Sequence, residues 1–82
     1  MDNTVLQLNI ISAEKSIFSG RVSIVTLPGV GGKFSVLPEH APLVSTLNSG
    51  IVSYETEGSV KEVEIKGGFV EVKQNVVTVC VE

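Results

Sequence analysis

Apolar and polar residues alternate along almost the whole of this chain. A period of two commits a segment to the extended conformation, in which successive side chains leave opposite faces. In "VLQLNIIS" Leu6, Leu8 and Ile10 fall on one face and Gln7 and Asn9 on the other, the pattern of a half-buried strand. "RVSIVTL" reads as one strand with Val22 and Ile24 opposite Arg21 and Ser23, and in "KFSVL" Phe34 and Val36 share a face. "PLVSTL", "IVSYETE", "VKEVEIK", "GFVEV" and "VVTVCVE" extend the series to the end of the sequence. Turn chemistry separates these runs. "TEGS", Thr56 to Ser59, is a hairpin turn in which Gly58 supplies a positive φ, leaving Val52, Tyr54, Val63 and Ile65 to face inward on its two arms. "KQN" is a second polar break, "PGVGG" a glycine turn, and Gly67–Gly68 a bend or bulge between strands. The one rival for helix is "SAEKSIF", where Ser12 resembles an N-cap, but it is shorter than the roughly dozen residues a marginal helix needs and Gly20 follows closely. It reads as a turn joining two strands. The expectation is an all-β chain, one domain over residues 1–82, forming a small β-sandwich of about eight to ten short strands.

Size and charge restrict what such a domain does. A chain of 82 residues buries only roughly 60–65% of its unfolded surface, which leaves little room for a large catalytic cleft. The mean hydropathy of +0.36 is high for so small a body. No apolar run approaches the roughly 18 residues of a membrane span, so direct membrane insertion is not expected and apolar surface is expected to remain for a partner. Net charge −3 and an aromatic content of 5% argue against nucleic acid, which calls for a basic, ring-bearing face. A lone cysteine, Cys80, makes no internal disulfide, which fits a reducing compartment. "MDNTVLQLN" has neither the basic start nor the apolar core of an export signal.

The search for chemistry turns on the single histidine, His40, in "KFSVLPEHAPLVSTLNSG". A hydrolase triad around it lacks a G-x-S-x-G elbow. Cys80 as a nucleophile paired with His40 competes with a plainer reading, a packed or half-buried cysteine in the strand "VVTVCV". One histidine and one cysteine leave a zinc site two ligands short, so no metal is expected. "PGVGGK" has the wrong spacing for a phosphate loop, and Lys33 is followed by Phe34 where Ser or Thr is required. "IKGGFVEV" leads into a strand where a nucleotide-binding fingerprint opens a helix. Neither a catalytic residue nor a cofactor is expected. Read from its residues alone, the chain is a small β-rich interaction domain.

Four blocks carry a resemblance that goes further: "LQLNIISAEKSIFSG", "GGKFSVLPEHAPLVSTLNSG", "IVSYETEGSVKEVEI" and "IKGGFVEVKQNVVTVCVE". In this order they resemble the N-terminal β-sandwich domain of the epsilon subunit of F-type ATP synthase, over essentially the whole chain. "LPEHAPLV" is the most specific piece, and "GGFVEV" with its Asn-containing turn and "VVTV" is a second. Ser35 stands where the family usually has glycine, and Glu39 where glycine or asparagine is common. The resemblance implies a non-catalytic central-stalk subunit, one copy per complex, that binds the gamma subunit and the c-ring and couples proton flow to ATP synthesis. It also implies a peripheral location on the cytoplasmic face of the bacterial inner membrane. By motif match, Gly29, Val30, Gly31, Gly32, Lys33, Glu39 and His40 are expected near the c-ring, and Ser12, His40 and Ser45 near gamma. Family members continue into a C-terminal pair of helices that controls hydrolysis. With Glu82 the last residue here, the expectation is assembly and coupling without that helical switch.

Two other readings stand beside this one. The first is a free-standing β-sandwich module with a different partner, and the second a small hydrolase using His40. Pro38 and Pro42 hold the histidine loop stiff, withholding two amide donors and lowering the entropy a partner must remove. Phe34, Val36, Leu43 and Leu47 are expected to anchor the two ends of that loop in the core.

Overall fold

In a computed structural model, residues 5–82 are described, and they contain nine strands and no helix. The reading of residues 1–9 as lacking an export signal therefore falls partly outside the described residues. The strands are β1 (Leu6–Ile11), β2 (Ser16–Val22), β3 (Ile24–Gly29), β4 (Gly32–Val36), β5 (Leu43–Leu47), β6 (Gly50–Thr56), β7 (Ser59–Ile65), β8 (Gly68–Lys73) and β9 (Val76–Val81). They form one curled sheet, β2-β1-β9-β8-β5-β3-β6-β7, with β4 on β3. The link between β5 and β3 is a single pair, Gly29 with Leu47. The chain turns from β5 into β6 at this corner, where the Asn48 N–H donates to the Pro28 carbonyl at 2.8 Å. Two layers result: β2-β1-β9-β8-β5 faces β4-β3-β6-β7, which is the expected sandwich.

Both layers send their apolar phase inward. Leu6, Leu8 and Ile10 of β1 are fully buried, as are Val77 and Val79 of β9 and Val70 of β8. Register explains why they meet: Leu8 lies beside Val77 and Ile10 beside Val79 in a parallel pair, and Val70 lies beside Val79. The opposing layer contributes Val25, Leu27, Val36 and Val52, with Tyr54 and Ile65 nearly as buried. Among the described residues no charged side chain shares this core. Phe18 of β2 stacks on Tyr54 of β6, ring centroids 4.4 Å apart, which ties the two layers on the side away from the β5–β3 corner.

The hairpin turns carry the strain expected of tight connections. Glu57 and Gly58 have φ of 52° and 77°, and Gln74 and Asn75 have 53° and 63°. Positive φ at both central residues matches the twist of the flanking strands, as in primed two-residue hairpins. Gly68 is required for a different reason: at φ 150° a Cβ there would run into the backbone carbonyl of Cys80 on β9.

Two sequence readings are corrected. "SAEKSIF" is a turn only over residues 12–15, because β2 begins at Ser16. Ile17 is the extra residue of a bulge, since Ile10 pairs with Phe18 and Ile11 with Ser16. "RVSIVTL" is two strands broken by a bend at Ser23. The Ser23 N–H donates to the Glu55 carbonyl at 2.9 Å, and its hydroxyl donates to the Glu55 carboxylate at 2.8 Å. The bend moves the alternation by one residue. Val22 closes the first layer while Val25 and Leu27, with Ile24 only half-buried, face inward from the second.

Val36 and Leu47 are buried on either side of the histidine loop, and Phe34 and Leu43 pack partly buried against the core. Leu47 is 3% exposed at the corner between the layers. Its replacement by alanine is expected to cost about 2–5 kcal/mol in denaturant unfolding. A loss below about 0.5 kcal/mol would show that the corner repacks without it.

Candidate functional site

The loop 37–42 carries the chain from β4 in one layer to β5 in the other, and it is held by few but well-defined contacts. His40 N–H donates to the Leu37 carbonyl at 3.2 Å, closing a tight turn around Pro38 and Glu39. Glu39 occupies the left-handed region, φ 68°, which costs a side chain with a Cβ on the order of 1–2 kcal/mol. Asn75, in the β8–β9 turn, meets it twice. Glu39 N–H donates to Asn75 Oδ1 at 2.7 Å, and Asn75 Nδ2 donates to Glu39 Oε2 at 2.8 Å. Both bonds select the same orientation of the amide, since its oxygen must accept from the main chain and its nitrogen must donate to the carboxylate. Asn75 is in turn tied to β1, its carbonyl accepting from Gln7 N–H at 2.8 Å. His40 is half-buried, and its Nδ1 lies 2.7 Å from the Ala41 carbonyl. A carbonyl only accepts, so this contact requires the proton on Nδ1 and leaves the Nε2 lone pair of the neutral ring as the acceptor. Glu39, His40, Ala41, Pro42, Gln74 and Asn75 together line a shallow depression at this end of the sandwich.

The glycine hairpin lies at the opposite end. Register links Gly29 to Leu47, Leu47 to Gly68 and Gly68 to Val81, while Ile11 pairs with Cys80 just before the Ser12 turn. Gly29–Lys33 and Ser12 therefore share one end, and Glu39 and His40 the other, where β5 starts and β8 turns into β9. Gly29 has no room for a side chain, since a Cβ would sit 2.8 Å from both the Gly32 carbonyl and the Phe34 ring. Val30 and Lys33 are exposed, and Val30 N–H donates to the Thr46 carbonyl at 3.2 Å. Ser35 sits in β4 with its hydroxyl 2.8 Å from that of Thr26 across the strand pair. Ser12 organises its own turn, its hydroxyl accepting from the N–H groups of Glu14 and Lys15, each at 3.3 Å. Ser45 lies between these ends on the inward phase of β5, beside Val70, and is half-buried.

Catalytic arrangements find no support in this geometry. Cys80 is half-buried, level with Ile11 and Phe69 at the end away from His40, so the two are not brought together. Among the described residues no three His, Cys, Asp or Glu side chains gather as a metal set. No helix in the described residues is long and apolar enough to cross a membrane.

The outer face of the first layer is more distinctive. Ile11, Cys80, Phe69 and Thr46 form one cross-strand row, with Val44 one step further along β5. Ile11 is 37% exposed, Phe69 50% and Val44 73%. An apolar row on the water side of a small domain marks a contact surface more often than an accident of composition. Sequence reading anticipated exposed apolar surface but did not locate it. Asn75 it missed as a contact to Glu39, and the available signal was an asparagine in a turn that needs positive φ.

The described residues thus form a nine-stranded β-sandwich whose core is aliphatic but for Tyr54, with a proline-flanked histidine loop at one end and an apolar row on the outer face of one layer. A sequence model described as "ATP synthase, Delta/Epsilon chain, beta-sandwich domain" matches residues 5–82, and the chain belongs to that family. It is 42% identical over 79 residues to an ATP synthase epsilon chain of Pelotomaculum thermopropionicum, covering 96% of this chain and 59% of the relative. A Leptospira interrogans ATP synthase epsilon chain is 38% identical over 82 residues, covering 100% and 65%. Among solved structures, a chain of the Euglena gracilis mitochondrial ATP synthase, in an assembly of OSCP, F1 and c-ring, superimposes with TM-score 0.89 at 27% identity, covering 95% of this chain and 51% of that one. A chain of the Tetrahymena thermophila enzyme, at TM-score 0.79 and 12% identity over 99% and 66% of the two chains, shares the fold. This chain thus spans about three fifths of the length of the relatives it matches.

Replacing His40 by alanine is expected to change unfolding free energy by no more than about 0.5 kcal/mol, since the ring belongs to a surface loop. A loss of several kcal/mol would make it a core residue.

Proposed function

We propose that this domain serves in the central stalk of a proton-translocating ATP synthase, as a non-catalytic rotor element that binds gamma and the c-ring and helps couple proton flow to ATP synthesis. Membership of the delta/epsilon family supports the complex, and the apolar outer row Ile11, Phe69 and Val44 is the observation that supports a docked state. Left in water these side chains gain nothing, whereas covering them yields about 25 cal/mol per Å² of apolar area. One copy per complex is proposed, held peripherally on the cytoplasmic face of a bacterial inner membrane.

The two ends of the sandwich suit two contacts. The Gly29–Lys33 hairpin presents backbone and one cation, Lys33, and is proposed to face the c-ring. Glu39 and His40 lie at the far end of β5. A c-ring contact that includes them as well has to run the length of the domain. Ser12, Ser45 and His40, proposed for gamma, are likewise spread from one end to the other. An elongated partner lying along the first layer meets this spacing, and a gamma coiled coil is such a partner.

The test is to add the 82-residue chain to a synthase depleted of its own epsilon subunit and to follow co-sedimentation with the rotor and recovery of proton pumping. Both are expected to return. Val44→Lys, at a site 73% exposed, is expected to weaken association at least several-fold while stability moves by no more than about 1 kcal/mol. A chain that folds but never associates would favour an interaction module with another partner.

A further inference from the structure

We propose that Asn75 is a positioning residue, a reciprocal clamp that holds Glu39 in its left-handed conformation and thereby sets the direction in which His40 is presented. The inference rests on the docking role proposed above for the histidine loop. Pro38 and Pro42 fix two of the loop's φ angles, and the His40 N–H bond to Leu37 restrains the turn between them. The remaining pivot is Glu39 at φ 68°. Were it to relax to the negative φ that a glutamate favours, the chain beyond it, His40 included, would leave in another direction.

Glu39 is exposed, so burial does not impose this conformation. The contacts across to the neighbouring turn are what oppose relaxation. Asn75 accepts from the Glu39 main chain at 2.7 Å and donates to its carboxylate at 2.8 Å, so one amide satisfies the residue at both ends. The bond to the carboxylate is charge-assisted and stronger than a neutral one. The clamp is itself anchored: Asn75 has φ 63° in the β8–β9 turn, and its carbonyl receives Gln7 N–H from β1 at 2.8 Å. The loop between the layers is thereby referenced to β1, β8 and β9, the layer that bears the exposed apolar row. A partner that reads both surfaces meets them already in fixed relation, so less ordering entropy is lost on docking.

Asn75→Gly removes the clamp while keeping the positive φ the turn needs. In the 82-residue chain, NMR amide exchange at Glu39 and His40 is expected to accelerate about tenfold, with Val70 and Val79 in the strands unchanged. Asn75→Asp sets two carboxylates face to face and is expected to loosen the loop as well. Combining Asn75→Asp with Glu39→Gln restores the pairing with donor and acceptor exchanged, and the parent exchange rates are expected to return. Failure of the single changes to move loop exchange by more than about twofold, failure of the exchanged pair to rescue it, or equal acceleration in the strands would each overturn the clamp. Association with the epsilon-depleted synthase is expected to weaken in Asn75→Gly and to recover in the exchanged pair. Loop exchange that follows the clamp while association stays constant would instead sink the docking role of the loop and leave the clamp standing.

Discussion

The parallel pairing of β1 with β9 joins the two ends of the chain, and the remaining architecture leans on it. Four of the eight strand pairs, β1–β2, β3–β4, β6–β7 and β8–β9, are hairpins, and each closes over a few residues at small entropic cost. The β1–β9 pair closes nearly the whole chain, so it forms only because it buries a great deal at once: Leu8 against Val77 and Ile10 against Val79, all fully removed from water. Without it, the β1–β2 hairpin would lose its place beside β9 in the first layer, and the inner faces of both would be exposed. Pairing first and last strands also removes two edges that would otherwise invite other chains.

The same pairing determines where partners can approach. With both layers turned inward on an aliphatic core, the surface available to others consists of outer faces and ends. The outer face of the first layer keeps Ile11, Phe69 and Val44 exposed. At one end stands a glycine hairpin too crowded at Gly29 for any side chain, and at the other a loop braced by two prolines and by Asn75.

Much of this was legible in the residues. Period-two alternation placed Leu6, Leu8, Ile10, Val36, Val52, Tyr54 and Ile65 inward, and each is buried. The glycine and polar breaks at Gly58, at "KQN" and at "PGVGG" fall at hairpin turns. The alternation failed where it was ambiguous. In "VSIVTL" apolar residues occupy both phases, and only the hydrogen bonds of Ser23 to Glu55, on a strand 32 residues away, decide that Val25 and Leu27 rather than Ile24 take the core positions. Ile17 was likewise assigned to a turn because a bulge leaves no mark in a hydropathy pattern.

By itself, then, the sequence determined the element type, the inward phase of most strands and the family, because alternation and turn chemistry are local and motif order survives without coordinates. Tertiary structure alone decided that Glu39 and His40 lie at the end opposite Ser12 and the Gly29–Lys33 hairpin, residues whose motifs gave no hint of separation. It also decided that Asn75 holds Glu39 across 36 positions of sequence. The physical reason is the same in both cases. A strand's direction and its neighbours follow from which apolar faces can be buried together, a property of the whole chain that no short segment contains.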